Sequence, residues 1–164
     1  MSDGPKIVHR TEQPYVGIRE TITMSTFNVV ADRIPELFAW LAARGLAPAG
    51  APFFKYNVID MERELEVEVG IPIATAVEPD GDVLYGTLPA GRYVAFTSVG
   101  SSDDHIAAVA DMFDWAAELE LTFDMSDTDA GSTWACRLQV LNTEPALEPD
   151  VTKHETENLF RLAD

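Results

Sequence analysis

The segment Leu37-Phe38-Ala39-Trp40-Leu41-Ala42 returns 75 residues later as Met112-Phe113-Asp114-Trp115-Ala116-Ala117. Around it, Ile34, Leu37, Phe38 and Leu41 keep the i, i+3, i+4, i+7 spacing of one apolar helical stripe, and Val109, Met112, Phe113 and Ala116 keep the same register. A second match, Tyr56-Asn57-Val58-Ile59-Asp60 with Leu138-Gln139-Val140-Leu141-Asn142, comes at an offset of 82, the difference being absorbed by the polar loop 124–132. Such a duplication restricts the chain to two similar half-domains that share a core. It predicts a pseudo-two-fold seam, and a seam between packed layers is a natural place for a small-molecule pocket.

The remaining segments fill out each half. Residues 7–24 read as a first strand broken at Pro14, and residues 27–44 as a helix stopped by Gly45, with Pro35 distorting or delaying its start. Residues 53–60 look extended, and Glu64 to Val69 alternates with a period of two, which predicts a hairpin with an acidic turn. The order repeats with strands at 82–88 and 92–97, a helix through Val109 to Ala116, a strand at 134–142, a Pro-bearing linker at 144–150 and a last strand at 156–162. The expected fold is one α+β domain over residues 1–164: two pseudo-symmetric β-α-β-β repeats, about 6–76 and 82–162, forming an antiparallel sheet with two main helices and a pocket at the seam.

Charge and composition exclude several functions. With 28 acidic against 11 basic residues, a net charge of -17, the chain lacks the clustered Lys and Arg that phosphate contact requires, so no direct nucleic-acid partner is expected. Cys136 is the single cysteine, which rules out an intrachain disulfide. The start Met1-Ser2-Asp3-Gly4-Pro5-Lys6 lacks a secretion-signal pattern and no run is long enough for a membrane helix, so a cytoplasmic chain without a membrane partner is expected. His9, His105 and His154 have no ligand spacing with Cys136, and no metal or cofactor is expected. Ser101-Ser102-Asp103-Asp104 reads as a helix cap with an acidic first turn. The stripe Glu64, Glu66, Glu68 reads as the solvated face of a strand whose Leu65, Val67 and Val69 face a helix.

Three segments, in this order, resemble the GyrI-like domain, the effector-binding domain of AraC-type and multidrug-sensing regulators. Pro89-Ala90-Gly91-Arg92-Tyr93-Val94 is similar to the family's "lpaGrYa" strand, Leu138-Gln139-Val140-Leu141-Asn142-Thr143-Glu144-Pro145 to its "FEVYLNDP", and Thr156-Glu157-Asn158-Leu159-Phe160-Arg161-Leu162 to its "TEIYIPL". The resemblance covers nearly the whole chain and implies a pocket between the repeats for bulky, often aromatic and cationic compounds. It also places Gln139 where the family has a buried acid, Leu141 where it has an aromatic residue, and Leu159 on the reshaped last strand. A Gln offers a donor and an acceptor without charge, which favours a neutral or mixed-polarity ligand over a cation.

The candidate ligand-binding residues are therefore Trp40, Phe54, Tyr56, Trp115, Gln139, Leu141 and Leu159, with no catalytic residue assigned. The two tryptophans supply rigid aromatic surface from equivalent positions, while Phe54 and Tyr56 share one face of their strand. The expected function is a stand-alone module that senses or sequesters hydrophobic aromatic, drug-like compounds, cations included. Two alternatives come from the resemblance: a hydrolase of cyclopropane-bearing or other reactive toxins, and a gyrase-inhibitor-like interaction protein. The first needs a titratable base, and Gln139 cannot serve, leaving Glu12, Glu66 or Glu68 if one faces inward. A protein partner or a homo-oligomer completes the expected partners, since the two repeats use the length a helix-turn-helix reader would need.

Overall fold

The computed structural model describes residues 4–23, 25–60, 62–142, 150 and 153–163, which form ten strands and three helices. Two strands, β1 (Lys6–Arg10) and β2 (Gln13–Ile22), replace the single interrupted strand expected at the start. Pro14 does not break β2: it is the second residue of the strand, a position where a missing N–H is tolerated. The first helix is interrupted instead. It divides into α1 (Asn28–Ala31) and α2 (Ile34–Ala43), with Pro35 in the first turn of α2, where its absent N–H has no intrahelical acceptor to lose. Gly45, at φ 68°, closes α2 in the left-handed region as expected.

The hairpin β3 (Phe53–Ile59) and β4 (Leu65–Pro72) forms as the alternation predicts. Strands β5 (Leu84–Leu88) and β6 (Gly91–Val99) lead into α3 (Ser102–Glu118), where the Ser101 N–H donates to Asp104 Oδ2 at 2.9 Å and closes the capping box. The segment expected as a polar loop at 124–132 is largely a hairpin, β7 (Met125–Thr128) and β8 (Gly131–Trp134). Its Ser, Asp and Thr residues gave no apolar alternation because this hairpin lies at the rim, with Ser126, Asp127 and Thr128 exposed. Strands β9 (Arg137–Leu141) and β10 (Glu155–Arg161) complete the set, and the linker expected at 144–150 lies outside the described residues apart from Asp150.

The strands form one curled antiparallel sheet in the order β1-β6-β10-β9-β3-β4-β2-β5, with β7 and β8 attached at β3. The trios β6-β10-β9 and β2-β4-β3 repeat the same order outward from the centre, and the halves meet where Phe53, Phe54 and Lys55 pair with Val140, Gln139 and Leu138. The first strand of each half is exchanged: β1 pairs with β6 and β5 with β2. Each half therefore contributes an edge strand to the other.

One face of the sheet carries the helices. Val30, Leu37 and Leu41 are buried against Val16, Ile18, Val67 and Val69, and Met112 and Ala116 against Val94 and Phe160. Each fully buried Leu contributes about 1.5–3 kcal/mol of transfer free energy. The opposite face has its own cluster of Tyr15, Phe53, Tyr93, Leu138 and Leu159. Gly70 admits it, because a Cβ there would come within 2.5 Å of the Phe53 ring.

The same face overturns the solvated reading of the acidic stripe at Glu68, while Glu64 is exposed and Glu66 half-buried. Glu68 is 2% exposed and accepts hydrogen bonds from Tyr15 Oη at 2.5 Å and Asn57 Nδ2 at 2.6 Å, with Lys55 Nζ 3.7 Å and Arg19 3.6 Å away. Strict alternation cannot distinguish a solvated carboxylate from one whose partners arrive from two other positions in the chain. Burial, followed by the Glu68 carboxylate, pushes the Tyr15 phenol up, so it remains a proton donor at neutral pH. Replacing Glu68 by Ala leaves Tyr15, Asn57 and Lys55 without their shared acceptor. Urea unfolding of Glu68→Ala should show a loss of about 3–5 kcal/mol, and a loss below about 1 kcal/mol would mean that the network carries no net stability.

Candidate ligand-binding groove

Between the helices that cover the two halves, the centre of the sheet is left uncovered, and a groove of about 310 Å³ lies there. The α3 stripe explains one wall. Its later residues, Met112 and Ala116, are packed in the core, while the first turns overhang the sheet and present His105, Ile106 and Val109 to the groove. Ile106 is 63% exposed and forms the outer lip of the groove's apolar lining. Phe27, just before α1, forms the facing wall. It stands edge-on to Phe54 at 4.9 Å and stacks on Tyr56 with centroids 6.2 Å apart.

The floor is the seam itself. Tyr56 Oη donates to Gln139 Oε1 at 2.6 Å, which ties β3 to β9 across the boundary between the repeats. Two residues earlier on β9, Arg137 shares the groove, its Cζ 4.4 Å from the Phe160 ring centroid, 4.9 Å from Trp134 and 5.9 Å from Tyr56. Burial pushes the Arg137 guanidinium down to about 10, which leaves it charged at neutral pH. Burial pushes the Tyr56 phenol up, with Arg137 opposing it. His105 Nδ1 lies 3.1 Å from Ser98 Oγ, which also accepts from Asn158 Nδ2 at 3.3 Å.

The structure brings Tyr56 and Gln139 together on the groove floor. Phe54 lies in the core beneath Phe27, and Leu141 packs on the same core. Trp40 packs at the edge of that core under the Arg44 guanidinium, 3.8 Å from its ring centroid, and lines a separate shallow hollow beside Asp80 and Asp82. Trp115 packs beside α3's own core, and Leu159 lines a hollow on the opposite face with Phe53 and Leu138. Asn57, which the repeat alignment pairs with Gln139, lies on the other face: it alternates with Tyr56, shares the side of Phe53 and Lys55, and binds Glu68 instead. Among the described residues no Asp or Glu lines the groove, so Glu12, Glu66 and Glu68 are not there to act as a base.

Sequence reasoning missed Phe27, His105, Ile106, Arg137, Asn158 and Phe160. Arg137 had a readable signal, since residues i and i+2 of a strand share a face and Gln139 was already assigned inward. The α3 residues had one too, being the N-terminal continuation of a stripe identified from Val109 onward.

The architecture defines a small-molecule-binding α+β domain built by duplication. Its family follows from a direct match: the model of the GyrI-like small molecule binding domain covers residues 4–130, and the chain belongs to that family. No curated protein sequence matches the chain. Among solved structures, the EcmrR C-terminal domain superposes with a TM-score of 0.77 at 15% identity over 99% of this chain and 98% of that one. EcmrR in its DNA complex gives 0.76 at 14% identity over 98% of this chain, which spans only 57% of the EcmrR chain. SAV2435 bound to tetraphenylphosphonium gives 0.61 at 10% identity, over 97% of this chain and 93% of that one. A hydrolase from Listeria innocua gives 0.70 at 12% identity, over 98% and 92%. At these identities the likeness is one of fold. Among the described residues no helix is long and apolar enough to cross a membrane, and no cluster of three His, Cys, Asp or Glu is placed to hold a metal ion.

His105 offers a test of the groove's electrostatics. Burial first, and Arg137 second, push its imidazole down from the usual 6.5, so the neutral form is favoured in the folded state. The stability tied to this shift is complete above 6.5 and is lost as the pH falls below it, because the unfolded chain takes up the proton first. Thermal unfolding between about pH 7.5 and 5.5 should cost the wild type more than His105→Asn. Parallel losses in the two proteins would place His105 in an ordinary solvated setting.

Proposed function

We propose that this chain captures hydrophobic aromatic compounds of drug-like size in the groove over the seam, as a sensing or sequestering module. One observation carries the reading: a concave apolar site at the junction of the repeats, walled by Phe27, Val109 and the exposed Ile106, with a few converging polar groups on its floor. Aromatic walls suit flat apolar ligands, since rigid rings lose little conformational freedom on binding. The likeness to SAV2435, whose structure holds tetraphenylphosphonium, supports a site of this kind, and the likeness to EcmrR supports a regulatory setting. Any transcriptional output would need a nucleic-acid reader beyond this domain.

A thermal-shift panel of neutral and charged aromatic compounds tests this directly. A ligand at a hundred times its Kd should raise Tm by roughly 5–10 °C. Ile106→Trp, which places a bulky ring at the mouth without touching the packed core, should abolish that rise while leaving the ligand-free Tm within a few degrees. A shift that persists in Ile106→Trp would locate binding elsewhere.

A further inference from the structure

We propose that the groove selects organic anions, an aromatic or otherwise apolar body bearing one carboxylate or similar acid, with Arg137 receiving the acid. This deepens the reading above and rests on the groove being the ligand site.

Arg137 and the Gln139 amide put donors on the floor of the groove. Arg137 carries five N–H groups in a planar fork and lies against the faces of Phe160, Trp134 and Tyr56. Those faces hold the guanidinium plane and soften its charge, but they accept nothing from its N–H edge. Among the described residues no carboxylate is paired with it: the ion pairs engage Arg19, Arg33, Arg44, Lys55, Arg63 and Arg161. Gln139 spends its oxygen on Tyr56 Oη, which leaves its amide N–H₂, two residues along the strand from Arg137, without a protein partner among the described residues. A half-buried cation beside a further donor has its N–H edge satisfied only by solvent in the free protein, an arrangement short of an acceptor. An anionic oxygen pair resolves it with two parallel charge-assisted hydrogen bonds, the geometry for which a guanidinium is preorganised.

A lipophilic cation would meet the opposite situation. It would enter a groove with a fixed positive charge on the floor and, among the described residues, no Asp or Glu in the lining to offset it. The chain's net charge of -17 does not reverse this, because surface charges are screened over roughly 8–10 Å whereas Arg137 acts at contact.

Calorimetric titration with three near-isosteric probes tests the assignment: 2-naphthoate, 2-naphthamide and 2-naphthylmethylammonium. The wild type should bind naphthoate at least about tenfold more tightly than the amide, with the ammonium weakest. Arg137→Gln should bring naphthoate down to the affinity of the amide. Gln139→Glu, which gives Arg137 an internal counter-ion from the same strand face, should weaken naphthoate by about tenfold while sparing the amide. The wild-type order and Gln139→Glu remain decisive if Arg137→Gln does not fold. Ammonium binding equal to or tighter than naphthoate would overturn the anion assignment while leaving the groove as a ligand site, and a naphthoate preference that survives both substitutions would overturn the role of Arg137. If none of the three probes binds the wild type, the groove reading falls and this inference with it.

Discussion

Three residue pairs hold the centre of this molecule: Phe53 with Val140, Phe54 with Gln139 and Lys55 with Leu138. Through them two three-stranded units become one sheet, and their helices are set far enough apart to leave the middle uncovered. The exchanged edge strands reinforce the junction, since β1 and β5 each tie a half to its counterpart by backbone hydrogen bonds. Had β1 folded back on β2, the halves would share only the short β3–β9 ladder and the β8 contact. The groove is thus a consequence of how the repeats join, and its floor is made of the residues that join them.

The two faces of the sheet handle buried polarity in opposite ways. On the face away from the helices, Glu68 is compensated by Tyr15, Asn57 and Lys55, a closed network with a structural role. On the helical face, half-buried Arg137 has aromatic neighbours and, among the described residues, no carboxylate paired with it, an open arrangement. A closed network stabilises the free protein. An open one leaves part of the electrostatic compensation to a ligand, which is how a binding site differs from a core.

Much of the fold was legible in the sequence, for local reasons. The helical stripes at Ile34 to Leu41 and Val109 to Ala116 and the alternation at Glu64 to Val69 report the period of an element directly. The exchange of β1 and β5 was not legible, because strand pairing is decided by contacts far apart in the chain, such as Ile7 with Val94 and Tyr15 with Gly86, for which alternation carries no address. Glu68 was misread for the same reason: Tyr15 lies 53 positions away from it. For the site, the duplication located the seam and Tyr56 and Gln139 on it. Arg137 shares the strand face of Gln139 two residues away, and the alignment of Asn57 with Gln139 fails by one residue of strand parity, since Tyr56 and Gln139 share a face and Asn57 takes the other. The tryptophan pair, the most visible mark of the duplication, packs beside the helices, with neither ring in the groove.

The central claim, that the uncovered seam is the ligand site, is tested most directly by a crystal structure of the protein grown with 2-naphthoate. The account predicts the rings between Phe27 and Val109, with the carboxylate on Arg137 and beside Gln139. Ligand density against Phe53, Leu138 and Leu159 on the opposite face, with the groove between α1 and α3 unoccupied, would contradict it.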